Sequence, residues 1–301
     1  MKHETIPVYP DFKMFSLKDR NLIQGFLDQY EPVSCEYSFF NLFCWQKEYD
    51  LCFCLYRARL LVLDKKNNYF LMPLGKPFAP EELAELSQNM KHRKKACDIA
   101  IVPHEYLIAN PQIRKYYQAA PQKDSDEYIY LVKKLSDLKG KKLQKKKNQI
   151  SQFKRKNPAF CVNRIQGPLI KKSLELARNI LGTGKGRIKS LQKEYAALKQ
   201  ALGIIHSSSM EGLAIMVEGK VVAFSIFSRL TPSTYDIHFE KSDLSFKGAA
   251  QVINHETAKY LKDKCELVNR EQDLGIKGLR QAKLSWDPHF MFKPFLLTFS
   301  Q

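Results

Sequence analysis

Apolar and polar positions along this chain predict the same series of elements twice. A helical pattern over residues 17–30 ends ahead of Pro32. An apolar block, 39–45, follows it. Residues 51–56 and 60–64 are short apolar runs on either side of Arg57-Ala58, the pattern of a hairpin. Residues 69–73 predict a further strand. Pro80 opens a helix to about residue 90, with Glu81, Glu82 and Glu85 near its start, where the helix dipole favours acids. Residues 98–103 and 128–132 are two more strand candidates.

The second half repeats the theme. Residues 169–181 and 191–202 have helical periodicity. Residues 213–217 and 221–227 flank Glu218-Gly219-Lys220, another hairpin signal. A strand over 235–240 precedes a helix over 248–262, in which Ala249, Ile253, Ala258 and Leu261 form an apolar stripe. A strand over 267–271, a short helix and a last strand over 292–298 complete the chain. The order predicts an α/β (α+β) fold of two tandem domains, 1–134 and 135–301. Each is a mixed, mainly antiparallel sheet flanked by helices. The first is mostly scaffold; the second carries the site and opens with a basic helix.

Charge changes this picture. Of 301 residues, 49 are Lys or Arg against 31 Asp or Glu, a net charge of +18. Such an excess attracts nucleic acid, phosphorylated cofactors or anionic lipid headgroups. It is concentrated between the halves, where no acid occurs from Lys139 through Leu174. Leu143, Ile150 and Phe153 share one face of the helix predicted there, and Pro158 stops it at Asn157. That helix is either a solvated element docked by a thin apolar stripe or a rail that tracks phosphates. The seven cysteines have no metal-binding or CxxC spacing. Cys52 and Cys54 fall on one face of a strand, as small core residues do. Scattered thiols, an N-terminus with no apolar core and the lack of a bilayer-length apolar run predict a soluble, cytoplasmic protein with at most peripheral membrane contact.

Several motifs fail on inspection. Residues 182–186, GTGKG, lack the glycine of a phosphate loop at Asn179 and its Ser or Thr at Gly186; they predict a flexible loop. No GxSxG elbow occurs. His206 with its following serines predicts a loop, and His238 and His255 have no metal-ligand spacing, so no metal site is expected. Residues 245–250, SFKGAA, lie between a strand and a helix, where exposed N–H groups and small side chains admit a phosphate or pack tightly on a sheet. In NREQDLG, from Asn269, an extended strand places Asn269, Glu271 and Asp273 on one face. Arg280 and Lys283, three apart on the next helix, share a face as well. These charges either neutralise one another or hold a charged substrate.

Four stretches are familiar: YLVKKLSDLKGKKLQKKKNQISQF from Tyr130, IHFEKSD from Ile237, INHETAKYL from Ile253 and VNREQDLGIKGLRQAKLSWDP from Val268. With residues 37–45 and 70–75, they resemble a bacterial family of uncharacterised proteins related to the C-terminal catalytic domain of phosphatidylglycerol lysyltransferases. The resemblance implies two tandem acyl-CoA N-acyltransferase-like domains of the Gcn5-related type, also found in Fem-like peptidyltransferases. It implies a donor that is aminoacyl-tRNA or acyl-CoA. Ser245 departs from the Arg or Gln that usually heads the acyl-CoA phosphate loop. No stretch of these residues resembles the membrane-embedded part of the lipid-modifying synthases.

The expected activity is therefore an acyl or aminoacyl transferase acting on an amine or hydroxyl acceptor. Glu271, Asp273 and Glu240 are its expected catalytic carboxylates. Lys247, Gly248, Ala249, Asn254, Asn269, Arg270, Arg280 and Lys283 are expected to bind the donor. The alternative is a non-catalytic protein that grips RNA or tRNA through residues 139–156. A third reading places the same lysines on an anionic membrane.

Overall fold

The computed structural model describes residues 6–182 and 189–300. Thr183 to Gly186 of the expected GTGKG loop lie outside the described residues. The chain forms two units. The first comprises the chain through Glu127 together with Gln272–Gly275 and the segment from Phe292 onward; the second holds Tyr128–Glu271 and Ile276–Met291. A single cut at 134 thus gives way to a boundary at Glu127 with two returns. The second return has a clear cause: the C-terminal strand Phe295–Phe299 pairs with strands of the first sheet on both sides.

In the first unit, helices α1 (Arg20–Tyr30) and α2 (Phe39–Tyr49) precede strands β1 (Leu51–Tyr56), β2 (Arg59–Asp64) and β3 (Tyr69–Leu71). The apolar block at 39–45 is thus helical. Helix α3 (Pro80–His92), strand β4 (Asp98–Val102), helix α4 (His104–Ala109) and strand β5 (Tyr117–Pro121) follow. The α3 start is built as its residues require: Pro80 opens it, and the Glu82 carboxylate accepts from the Ala79 N–H at 2.9 Å. The sheet order is β1-β2-β3-β4, then the C-terminal strand, then β5. Among the described strands of this sheet, β3 and β4 run parallel and the other neighbours antiparallel. Phe70, Leu83, Ile99 and Leu297 lie in one core between sheet and helices.

The second unit takes in most of strand β6 (Glu127–Leu131), then helices α5 (Val132–Asp137) and α6 (Gln144–Lys156) and strand β7 (Cys161–Arg164). Helices α7 (Pro168–Leu181) and α8 (Lys189–Ile204) lead to strands β8 (Glu211–Val217), β9 (Lys220–Arg229) and β10 (Thr234–Ser242). Helix α9 (Ala249–Leu261), strand β11 (Leu267–Gln272), helix α10 (Lys277–Leu284) and strand β12 (Phe290–Phe292) follow, leaving the C-terminal strand as β13. The sheet order is β12-β6-β11-β10-β9-β8-β7. The fold is the expected one, mixed α/β with two mainly antiparallel sheets flanked by helices. No helix among the described residues is long and apolar enough to cross a membrane.

The basic helix α6 is docked by the stripe its sequence shows. Leu143, Ile150 and Phe153 are buried in the same core as Ile253 and Leu261 of α9, and α6 ends at Asn157. Gly248 makes that docking possible. Its φ is +98°, and an added Cβ would stand 2.8 Å from the Gln149 carbonyl oxygen and 3.0 Å from Phe153 Cβ. Close approach of α6 thus accounts for glycine at the start of α9. Gly248→Ala is expected to cost about 2 kcal/mol or more, from left-handed strain plus the clash. A urea-unfolding midpoint unchanged from the natural chain would refute this packing account.

Candidate functional site

The second unit's sheet has a local fault at β10. This strand pairs antiparallel with β9 along most of its length, with a register shift between Ile237 and Phe239 that makes His238 the extra residue of a bulge. It pairs parallel with β11 only over Thr234–Leu267, Tyr235–Val268 and Asp236–Asn269. Both strands continue past that point, to Ser242 and Gln272. The ladder ends where the polar residues begin.

The bulge divides these residues between two faces. Asp236, His238 and Glu240 alternate in sequence and would share one face of a regular strand. Instead Asp236 registers with Ser228 and Glu240 with Ser225, which point to opposite faces of β9. On the Ser225 face, which α9 covers, the Glu240 carboxylate accepts from Arg270 Nη2 at 2.9 Å. With its amide oxygen turned to the guanidinium, Asn254 of α9 accepts from Arg270 at 2.7–3.1 Å. Arg270 also lies over the rings of Tyr130 and Trp286, each 5.7 Å away. Ion pair, amide and two aromatic faces fix the guanidinium in place.

The other face holds a buried hydroxyl–imidazole–carboxylate chain. Ser228 Oγ lies 2.7 Å from His238 Nε2. His238 Nδ1 faces two carboxylates, Asp236 Oδ2 at 3.3 Å and Glu271 Oε1 at 3.5 Å. Asp236 and His238 side chains are 0% and 1% exposed, whereas that of Glu271 is 22% exposed. A ligand can therefore reach Glu271 and not the pair behind it. Asn269, fully buried, accepts the Glu271 N–H at 2.8 Å. Glu271 has φ +56°, outside the extended region, so the regular alternation from Asn269 to Asp273 breaks there.

Lys283 holds this strand end. It is buried on α10, and its ammonium donates to the Glu271 carbonyl at 3.0 Å and to the Arg270 carbonyl. Helical spacing places it beside Arg280 for a shared anion site, whereas its ammonium lies on these two backbone carbonyls. Tyr130 Oη donates to the Lys283 carbonyl at 2.9 Å, and burial pushes that phenol's pKa well above its ordinary value. After α10, Asp287 accepts from Lys134 and, at 2.8 Å, from Lys142, and these bonds hold its carboxyl below the usual carboxylate range.

The expected residues thus part company. Glu240, Asn254 and Arg270 form one network; Glu271 and Asn269 belong to the other. Asp273 falls in the Gln272–Gly275 segment of the first unit, where its carboxylate caps the Gly275 N–H at 2.9 Å. Lys247 is exposed, Ala249 is buried, and Arg280 is partly exposed on α10. Sequence reasoning set aside His238 as an isolated histidine and missed Asp236 and Ser228. The alternating Asp236-Ile237-His238-Phe239-Glu240 was the available signal, though the bulge that splits it was not legible. Tyr130 and Trp286 were missed because aromatic rings beside cations look like ordinary core, and Lys146 stands out in the sequence only as one of the basic residues of 139–156.

Residues 27–297 match the model of the family described as phosphatidylglycerol lysyltransferase, C-terminal. The chain belongs to this family. The crystal structure of a conserved protein of unknown function from Bacteroides thetaiotaomicron is similar at 28% identity and TM-score 0.88, covering 96% of this chain and 99% of that one. L-PGS of Bacillus licheniformis is similar in fold, with TM-score 0.63 at 15% identity over 98% of this chain and 94% of that one. An uncharacterised protein of Mycoplasmoides gallisepticum is 21% identical over 226 residues, 75% of this chain and 73% of its own length.

The lysyltransferase-family match spans both units, so the two-unit arrangement and the site-bearing strands fall within it. In this member of the family, the Lys283 ammonium is the contact that holds the Arg270 and Glu271 carbonyls together. Lys283→Met keeps the apolar stem and removes the donor. It is expected to lower stability by about 2 kcal/mol, the penalty of buried carbonyls left without a partner. Equal urea midpoints for variant and natural chain would show that the bonds contribute nothing.

Proposed function

We propose that the second unit is an acyl or aminoacyl transferase that moves an activated acyl group from a phosphorylated donor to an amine or hydroxyl acceptor. The observation that carries this is Glu271: a partly exposed carboxylate at the end of a broken ladder, backed by a buried imidazole. Support comes from membership in a family whose name is that of a lysyltransferase. The donor is aminoacyl-tRNA or acyl-CoA, in keeping with the chain's net charge of +18.

The acceptor's nitrogen or oxygen attacks the donor's carbonyl carbon, and its proton passes to Glu271. The tetrahedral intermediate collapses as the acyl–oxygen or acyl–sulfur bond breaks, and the carrier leaves as its hydroxyl or thiol after taking that proton. His238 Nδ1, shared between Glu271 at 3.5 Å and Asp236 at 3.3 Å, positions the carboxylate. Arg270 is matched by Glu240 and Asn254 on the opposite face of the sheet.

Glu271→Gln preserves size and removes the base. It is expected to cut transfer by about 10²–10⁴-fold with an unchanged unfolding midpoint, measured with acetyl-CoA and lysine-charged tRNA as donors against a panel of amines. Retained turnover would remove Glu271 from the chemistry.

A second reading, RNA binding without transfer, has an observation of its own. Lys145, Lys147, Arg155 and Lys156 are exposed along α6. Replacing Lys145, Lys147 and Arg155 with Gln is expected to weaken tRNA binding about equally for unrelated tRNAs and to reduce the logarithmic salt slope by about 2. Unchanged filter-binding affinity would exclude the rail.

A further inference from the structure

Lys146 differs from its neighbours on α6. Its side chain turns inward and is only partly exposed, while those of Lys145 and Lys147 are exposed. Its ammonium lies 5.0 Å over the ring of Trp286, the same indole that lies 5.7 Å from the Arg270 guanidinium. Trp286 itself is buried. Two cations of different elements, one from the basic helix and one from β11, thus converge on a single aromatic residue.

Their charges are matched differently. Arg270 has Glu240 at 2.9 Å and the Asn254 amide. Lys146 has no carboxylate partner among the described residues. Its charge is instead penalised: burial first, then Arg270 and Lys145, lower its pKa below that of an ordinary lysine. An aromatic face compensates an ammonium only in part. A fold that turns one lysine of an exposed series inward, toward a guanidinium, incurs a cost that an incoming anion removes.

We propose that Lys146, beside Arg270 and over Trp286, forms a seat for a phosphate group. Lys146 supplies the uncompensated charge, Arg270 supplies a fixed guanidinium edge, and the indole sets the floor. The shared ligand chemistry is a phosphate mono- or diester; its source is either a small phosphorylated molecule or a nucleic-acid backbone. The proposal rests on the transferase reading only in assigning this phosphate to the donor.

Trp286 provides the readout. The chain has two tryptophans, so Trp45→Phe leaves Trp286 as the sole indole. Titrating that variant with inorganic pyrophosphate in phosphate-free buffer at about 0.15 M salt, where exposed lysines are largely screened, is expected to change its fluorescence saturably. Lys146→Gln is expected to weaken this binding about tenfold, the loss of one charge-assisted contact. Lys171→Gln, which removes an exposed lysine from α7, is expected to leave it unchanged. If Trp45→Phe fails to fold, calorimetric titration of the natural chain and the two lysine variants makes the same comparison. Absence of saturable binding, or equal affinity in the Lys146 and Lys171 variants, overturns the proposal.

Competition separates the sources. Displacement of pyrophosphate by acetyl-CoA and not by uncharged tRNA assigns the seat to a small phosphorylated molecule; the reverse assigns it to a nucleic acid. Lys146-dependent binding without transfer from any donor would leave the seat standing and remove the transferase reading. Transfer that survives Lys146→Gln with unchanged KM would leave the transferase reading standing and remove the assignment of this phosphate to the donor.

Discussion

The second unit's site depends on how one strand is allowed to end. Strand β11 loses its β10 partner after Asn269, and carbonyls that turn to that side beyond this point need another donor. Lys283 provides it from α10, binding the carbonyls of both Arg270 and Glu271. With those two peptides held, Glu271 can adopt a positive φ and direct its carboxylate to His238, while Arg270 stays on the α9 face with Glu240. Remove that ammonium and both peptides lose a donor, while the Arg270 side chain keeps Glu240 and Asn254. A cation with a long apolar stem suits the task, because it crosses the core and still delivers several hydrogen bonds.

Much of the architecture was legible in the chain. The hairpins at Arg57-Ala58 and Glu218-Gly219-Lys220 stand where short apolar runs flank turn residues. Helix α6 buries the stripe of Leu143, Ile150 and Phe153 and stops at Asn157. Periodicity and local sterics decide such features, and both are local. Long-range pairing is not: the insertion of Phe295–Phe299 into the first sheet depends on unsatisfied strand edges far away in sequence. No local pattern distinguishes that outcome from a last strand of the second unit.

The site was legible in composition more than in arrangement. Glu271, Glu240, Arg270 and Asn254 were recognisable as polar residues with no reason to be in a plain strand. Their grouping was not, because one bulge at His238 sends Asp236 and Glu240 to opposite faces. Lys283 illustrates the same limit: three residues from Arg280, it shares a helical face with it by spacing, yet backbone carbonyls compete for its ammonium. Gly248 is similar. A glycine at a helix start fits an anion site and a tight helix contact equally well until the neighbouring helix is placed.

The position of β13 has a consequence for biosynthesis. The first sheet receives its strand between β4 and β5 from a segment translated after the whole second unit. Until that segment leaves the ribosome, β4 and β5 have no common neighbour, and the first unit waits as an incomplete sheet while the second has all its strands except the last residue of β12. The first sheet can therefore be completed only after the second unit has been synthesised. Any chaperone that meets the nascent chain meets it with those two edges uncovered.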